Sequence, residues 1–483
     1  MLVAEGTYGR IYTVRKGVVM KKYKNEMVGI SGDFIREVSA LKSVKSPYII
    51  EILDINEDSI ELPYYEKSLH HAIKENYPLN AKELLKTICF GIYELHCIGI
   101  LHCDIKPGNI MLKDEKTACI IDTGFSKILE IDRNYGHRDM KIMTFYYRAP
   151  EVFLQEKYGF EIDIWSIGCT FVEILEGKTL FEIRDEDEIL CEQFRLMGTP
   201  SYVTDEVCFF GEYREKFFKY GEEVVKLIGG MLNTDYKERY FLFEILKCLG
   251  EDVSNERLKY GDYLDEYIVG FSLDKLSDKM RVMRKILLLW LINMVDYFEL
   301  HDAVYFRTVV LIDKLLSGSV LGKVYINEKN FQLIGLSCLF ISSKYEMSNC
   351  LTIHDILSVC DYSRSDLLEM EKRVIRHLGW NVSFPTLYNY LSLYSYDLTL
   401  NKEEIKIFLK SLYICTIYHQ LYDWDYSIIA IVLGYIITKK KLERSVEPLN
   451  TLKEEEQDSV LRAKEFLLSM EEFDEIKNLR SLL

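Results

Sequence analysis

The most constraining stretch of this 483-residue chain runs from His102 to Asn109. It sets out a carboxylate at Asp104, an ammonium at Lys106 and a side-chain amide at Asn109, with Pro107 and Gly108 turning the chain between the last two. A carboxylate placed this way can take or orient the proton of a hydroxyl. The lysine can meet a phosphoryl group in transfer, and the amide oxygen can bind a metal. Each residue type alone is commonplace on a surface; it is their spacing that restricts the chemistry. A hydrophobic strand, Ala118 to Ile121, then leads into Asp122, Thr123 and Gly124, where a second carboxylate can hold a Mg2+ that bridges nucleotide phosphates.

Upstream, Gly6, Thr7, Tyr8 and Gly9 lie between two candidate strands, so that Gly6 and Gly9 let backbone amides approach phosphate oxygens. Such turns are common, and alone this one carries little. Lys21 ends the strand that runs through Val18 to Met20, and Glu37 lies on a helix near 33–44. A strand lysine that holds α- and β-phosphates needs a carboxylate to orient it, although either residue taken singly also fits an ordinary surface position. The first 65 residues are β-like, with further strands expected at Ile49 to Leu53 and Ser59 to Leu62, and helical periods follow from about 80 to 250. From about 278 onward the chain reads as helical almost throughout, and the segment from Met283 to Leu291, apolar all round, is expected at the centre of a bundle.

Composition narrows what else the chain can be. With 48% hydrophobic residues it can bury several cores, and a net charge of -16 argues against a general affinity for nucleic acid or anionic membrane. The twelve cysteines contain no C-x-x-C pair, so neither a zinc site nor a disulfide framework is expected. The longest apolar runs fall short of the ~18 residues a spanning helix needs. A non-secreted protein of the cytoplasm or nucleus, with no membrane partner, is expected.

Arg148, Ala149, Pro150 and Glu151, with Asp163, Trp165 and Gly168 behind them, complete an ordered series in which residues 1–250 resemble the eukaryotic protein kinases. The segment Gly29 to Glu37 resembles the cyclin-binding PSTAIRE helix, and Met197 to Pro200 is also similar to the cyclin-dependent kinases. The resemblance implies an α+β bilobal protein kinase fold, N-lobe about 1–65 and C-lobe about 66–250, using ATP and Mg2+. It implies Lys21, Glu37, Asp104, Lys106, Asn109 and Asp122 as the catalytic set, with Asn109 and Asp122 on the metal. Thr144 would bridge Asp104 and Lys106, and Glu151 would pair with Arg239. Leu62 would guard the adenine pocket, with Tyr64 and Tyr65 in the hinge and Gly6 and Gly9 over the phosphates. Arg148 follows the proline-directed kinases, so protein substrates with Ser/Thr-Pro sites are expected.

The chain departs from that family at informative places. Ala4 stands where the family has its first glycine, Thr123 where it has phenylalanine and Cys103 where it has an arginine that clamps a phosphothreonine. The position of that threonine is Asp139, and the remaining cations around it are Arg36 and Lys127. One carboxylate charge against a reduced cationic cluster is electrostatically coherent, so the loop is expected to order without an activating phosphate; a solvated loop aspartate is the alternative. Thr7 and Tyr8 occupy the family's positions of inhibitory phosphorylation.

Val310 to Leu316, Gln332 to Gly335, Phe340 to Glu346, Met370 with Glu371 and Leu378 to Trp380 form a second ordered series, which resembles the cyclin box. It implies an all-α cyclin fold with one clear box at 278–382, a divergent one at 383–483, and a junction at 251–277. Lys344 and Glu371 would hold the backbone of the kinase helix in the same chain while Ile35 enters an apolar pocket near Ile341, Tyr345 and Ile375. Met283, Ile286, Leu287, Trp290 and Gln332 match the family's substrate-docking patch, with core packing as the alternative for at least some of these side chains. The expected molecule is a monomeric kinase activated in cis by its fused cyclin. An exchanged dimer, a catalytically weak scaffold and a cyclin half acting on another kinase in trans are the alternatives.

Overall fold

The computed structural model describes residues 2–5, 9–23, 29–129, 143–156, 158–203, 208–255, 259, 276–317, 326–347, 349–389, 402–417, 429 and 433. The chain forms two compact units, Met1–Tyr260 and Gly261–Leu483. Their boundary lies inside the expected junction.

The first unit opens with a five-stranded antiparallel sheet of order β1-β2-β3-β5-β4: β1 Leu2–Glu5, β2 Gly9–Arg15, β3 Val18–Tyr23, β4 Asp54–Ile55 and β5 Ser59–Pro63. Between β3 and β4 runs the helix α1, Gly32–Ser43, whose N-terminus is capped by the Ser31 hydroxyl accepting from the Phe34 amide. The Tyr23 and Phe34 rings meet edge to face at 4.9 Å, which packs α1 on β3. Ile49 to Leu53 is not a strand of this sheet. Ile49 makes only an isolated parallel bridge to Ile120, and the Ile50 amide bonds the Ile120 carbonyl at 2.9 Å. The run is apolar because Ile49 and Ile50 are buried near the strand that precedes Asp122, which periodicity cannot distinguish from membership of the first sheet.

The second lobe is helical around two small sheets, β6 Lys67–Ser68 with β8 Ile110–Leu112 and β9 Ala118–Ile120, and β7 Ile100–Leu101 with β10 Lys127–Ile128. Its helices are α2 Leu69–Lys74, α3 Ala81–His96, α4 Pro150–Phe153, α5 Glu161–Glu176, α6 Glu186–Met197, α7 Tyr213–Phe217, α8 Glu222–Met231 and α9 Leu242–Cys248. α5 is the core element, buried from Glu161 to Glu173, and at Gly168 it approaches Leu232 so closely that a Cβ would stand 2.7 Å from its methyl carbon.

The second unit contributes α10 Asp278–Tyr297, α11 Asp302–Leu316, α12 Phe331–Glu346, α13 Ile353–Ser358, α14 Arg364–His377 and α15 Lys402–Ile417. Every residue of α12 except Gln332 is buried, so α12 is the central helix and not α10. α10 buries one face, Arg284, Leu287, Leu288, Leu291 and Val295, and leaves Val282, Ile286 and Leu289 exposed. Buried Arg284 is satisfied by Asp313 on α11, with two bonds at 2.6 and 2.7 Å, and by the Thr416 carbonyl on α15. Among the described residues no helix is long and apolar enough to cross a membrane.

Candidate active site

Lys21 lies within β3 and Glu37 on the buried face of α1, and the two meet: Lys21 Nζ is 2.9 Å from Glu37 Oε1 and 2.7 Å from Oε2. The same ammonium reaches Asp122 Oδ1 at 2.9 Å, joining the sheet, α1 and the segment after β9. Burial opposes the charge on Lys21, but Glu37 and Asp122 outweigh it and hold the ammonium above its ordinary range. Burial likewise opposes the Asp122 carboxylate, and Lys21 outweighs it, keeping Asp122 below the usual aspartate value.

A second cluster forms around Asp104. Its Oδ1 accepts from the Thr144 amide at 3.1 Å and the Thr144 hydroxyl at 2.7 Å, and its Oδ2 from Lys106 Nζ at 2.7 Å and Asn109 Nδ2 at 2.8 Å. Lys106 also donates to Thr144 Oγ1 at 2.7 Å. These donors fix the carboxylate in one orientation. Because Asn109 Nδ2 is donating, its Oδ1 is the acceptor end of the amide. Oxygen donors from Asn109 and Asp122 are the kind Mg2+ prefers. Among the described residues, no group of three or more His, Cys, Asp or Glu could hold a metal by itself.

The loop carrying Asp104 is anchored from below. Cys103 has φ +63°, a left-handed conformation that a β-substituted residue adopts at a cost, and the buried Asp163 of α5 accepts the amides of His102 at 2.7 Å and Cys103 at 2.9 Å. His96 Nε2 completes the aspartate's partners at 3.0 Å. Asp122 also has positive φ, +62°, which aspartate tolerates better than most residues. The anchoring role of Asp163 is not visible locally, since its partners lie about sixty residues away in sequence; the sequence signal is its place, with Trp165 and Gly168, in the ordered series that follows Glu151.

Other expected residues fall in varied surroundings. Leu62 is buried on β5 opposite Val19, Tyr64 is exposed with its amide on the Gly17 carbonyl, and Tyr65 is half-buried. Gly9 begins β2, where a Cβ would stand 2.6 Å from the Lys22 carbonyl oxygen. Gly6, Thr7, Tyr8 and Asp139 lie outside the described residues. Lys127 is in β10, and Arg36 donates from Nε to the Gly124 carbonyl at 3.0 Å and pairs with Asp33. Arg239 and Glu151 form a buried two-bond pair at 2.6 and 2.9 Å, the guanidinium lying over Trp165.

In the second unit Lys344 Nζ meets Glu371 Oε1 at 2.6 Å, both side chains buried. Burial lowers the Lys344 ammonium from its ordinary range, with Glu371 partly offsetting it. Ile35, Ile341, Tyr345 and Ile375 are each buried. Of the expected docking residues, Ile286 and Gln332 are exposed and Met283 and Trp290 half-buried, whereas Leu287 belongs to the core, its methyl groups against Gly335. Helical spacing places position 287 with Arg284, Leu288 and Leu291 on the inner face.

A lysine locked between two carboxylates, beside an aspartate held by lysine, asparagine and threonine, defines the site of a phosphoryl-transfer enzyme built on a two-lobed fold. The family model described as protein kinase domain matches residues 2–248, and that of the cyclin N-terminal domain matches residues 266–383. The protein "Cell division control protein 2 homolog D" of Antirrhinum majus is 32% identical over 227 residues, 41% of this chain and 72% of that protein. A chain in the crystal structure of the yeast RNA Pol II CTD kinase CTDK-1 complex is similar over 49% of this chain and 87% of its own, with 24% identity and a TM-score of 0.44. The chain belongs to the protein kinase family, as a cyclin-dependent Ser/Thr kinase that carries a cyclin N-terminal domain in the same polypeptide.

Proposed function

We propose that the chain transfers the γ-phosphate of ATP to serine or threonine followed by proline, with its own cyclin domain as activator. The observation that carries the catalytic part is the pairing of Lys21 with both Glu37 and Asp122 while Asp104 is held by Lys106, Asn109 and Thr144. In this reading Lys21 holds α- and β-phosphates, Asp104 orients the substrate hydroxyl and takes its proton, and Lys106 faces the transferring phosphoryl group. Asn109 and Asp122 would hold Mg2+, which neutralises phosphate charge when bound. Leu62, Tyr64 and Tyr65 would receive the adenine.

Preference for proline is supported by the backbone before Thr144. Met143 has φ +66° and its carbonyl accepts from Arg148 Nη2 at 3.4 Å. In this reading the left-handed backbone at Met143 turns its carbonyl toward Arg148 and not toward a substrate amide, and proline is the residue with no N–H to leave unpaired. Asp104→Asn should lower phosphotransfer by about 10²- to 10⁴-fold in a protein that still folds cooperatively, as thermal melting would show. Peptides with Ser-Pro should be preferred to Ser-Ala, and equal rates on both would refute the proline-directed reading.

For activation in cis, Lys344 and Glu371 would together hold the helix bearing Ile35 and Glu37. Lys344→Glu combined with Glu371→Lys keeps opposite charges within the pair while reversing what each position offers the helix. That double variant should lose activity while still binding ATP, as should a fragment of residues 1–250 that lacks the activator; full activity in either refutes the model. Activity without loop phosphorylation, lost in Asp139→Ala and kept in Asp139→Glu, is the corresponding test for Asp139.

A further inference from the structure

Thr123, between the metal-site aspartate and Gly124, is fully buried, and its hydroxyl donates to the backbone carbonyl of Glu37 at 3.3 Å. The sequence predicts only the loss of a large apolar side chain here. Instead a small residue with a donor lets the segment lie close against α1. A Cβ on Gly124 would stand 3.3 Å from Asp122 Oδ1 and 3.6 Å from Glu37 Oε2. A second bond runs in the opposite sense, from Arg36 Nε on α1 to the Gly124 carbonyl at 3.0 Å. A helix carbonyl has a second lone pair, so accepting from Thr123 leaves the helical bond at Glu37 intact. Lys21, bridging Glu37 and Asp122, therefore lies between two elements that are already cross-linked by two bonds from side chains to backbone carbonyls.

We propose that Thr123 is a positioning residue whose hydroxyl, with Arg36, pins the Asp122 segment to α1, so that the lysine-pairing and metal-site carboxylates hold a fixed separation. It acts through Asp122 and Glu37, and it rests on the phosphotransfer reading of the site for its catalytic consequence alone. The pin itself is a property of the fold. Buried hydroxyls without an acceptor are costly, so removing the donor while keeping the shape isolates the bond.

The test uses the full chain with Thr123→Val, which keeps the shape, and Thr123→Ser, which keeps the donor. Amide exchange of residues 32–43 is followed with residues 81–96 as internal reference, together with the Mg2+ dependence of phosphotransfer at saturating ATP. In Thr123→Val, exchange in α1 should rise about three- to tenfold with the reference unchanged, and the Mg2+ requirement should rise by a similar factor. Thr123→Ser should return both toward wild type. Unchanged α1 exchange in the valine variant, or serine behaving as valine does, overturns the proposal. So does a uniform rise in both segments, the signature of plain destabilisation. If the valine variant does not fold, Thr123→Ala against Thr123→Ser supplies the same donor contrast. If no variant transfers phosphate, the exchange measurement still decides the pin and the failure belongs to the phosphotransfer reading.

Discussion

Asp163 shows how much a single residue outside the reacting cluster can control. Its carboxylate is buried, which alone would favour the neutral acid, but the bond from His96 and the loop amides reverse this and hold it below the ordinary aspartate range. A depressed carboxyl stabilises the fold fully above the value of the unfolded chain, and that stabilisation is lost as pH falls through the lower folded value. Asp163→Asn should therefore lower the urea midpoint at neutral pH while flattening the acid side of stability against pH, at and below about pH 4. An acid limb as steep as wild type would exclude Asp163 as its source. Arg239→Ala, which leaves Glu151 buried and unpaired, should cost about 3–5 kcal/mol in urea unfolding.

Among elements, α1 and α10 make opposite use of hydrophobic pattern. α1 is short, begins at a serine cap and is buried from Phe34 to Leu41 apart from Arg36, so its placement depends on packing more than on propensity. Ser31→Ala should cost about 1 kcal/mol and Ser31→Asp much less, read from thermal melting. α10 looks apolar on every side in sequence yet presents only one face inward. Leu288→Ala should destabilise the second unit by about 2–5 kcal/mol, whereas Ile286→Ala, at a position 62% exposed, should stay within about 0.5 kcal/mol. Equal costs at the two positions would contradict the observed face.

At the scale of the whole molecule the consequence lies in connectivity. If the cyclin domain activates its own kinase domain, the relevant concentration is set by the junction, on the order of mM for a suitable linker, and not by the amount of protein in solution. The 27 residues from 251 to 277 span at most about 90 Å when extended. Specific activity should then be constant on serial dilution from micromolar to low nanomolar protein. A fall on dilution, with a matching change in sedimentation, would point to an exchanged dimer.

Local spacing was enough to expose the residues from His102 to Asn109 and the aspartate after β9, because backbone turns and short-range geometry impose those intervals whatever surrounds them, whereas the order of the two domains was legible only through resemblance to known families. Periodicity found the strand ending near Lys21 and the helix carrying Glu37 for the same local reason, and it placed Gly9 in the turn just before β2, whose first residue it is. It failed at Ile49 and Ile50, which are buried near β9, and it left open which face of α10 would be covered, so that core packing at Leu287 was decided by the fold. The anchoring of Cys103 by Asp163, the bridging of Glu37 and Asp122 by Lys21, and the bond from Thr123 to α1 join residues 60, 101 and 86 positions apart. Contacts at such separations arise only when packing brings the elements together, so the site's residue types are written locally while their partners are chosen by the fold.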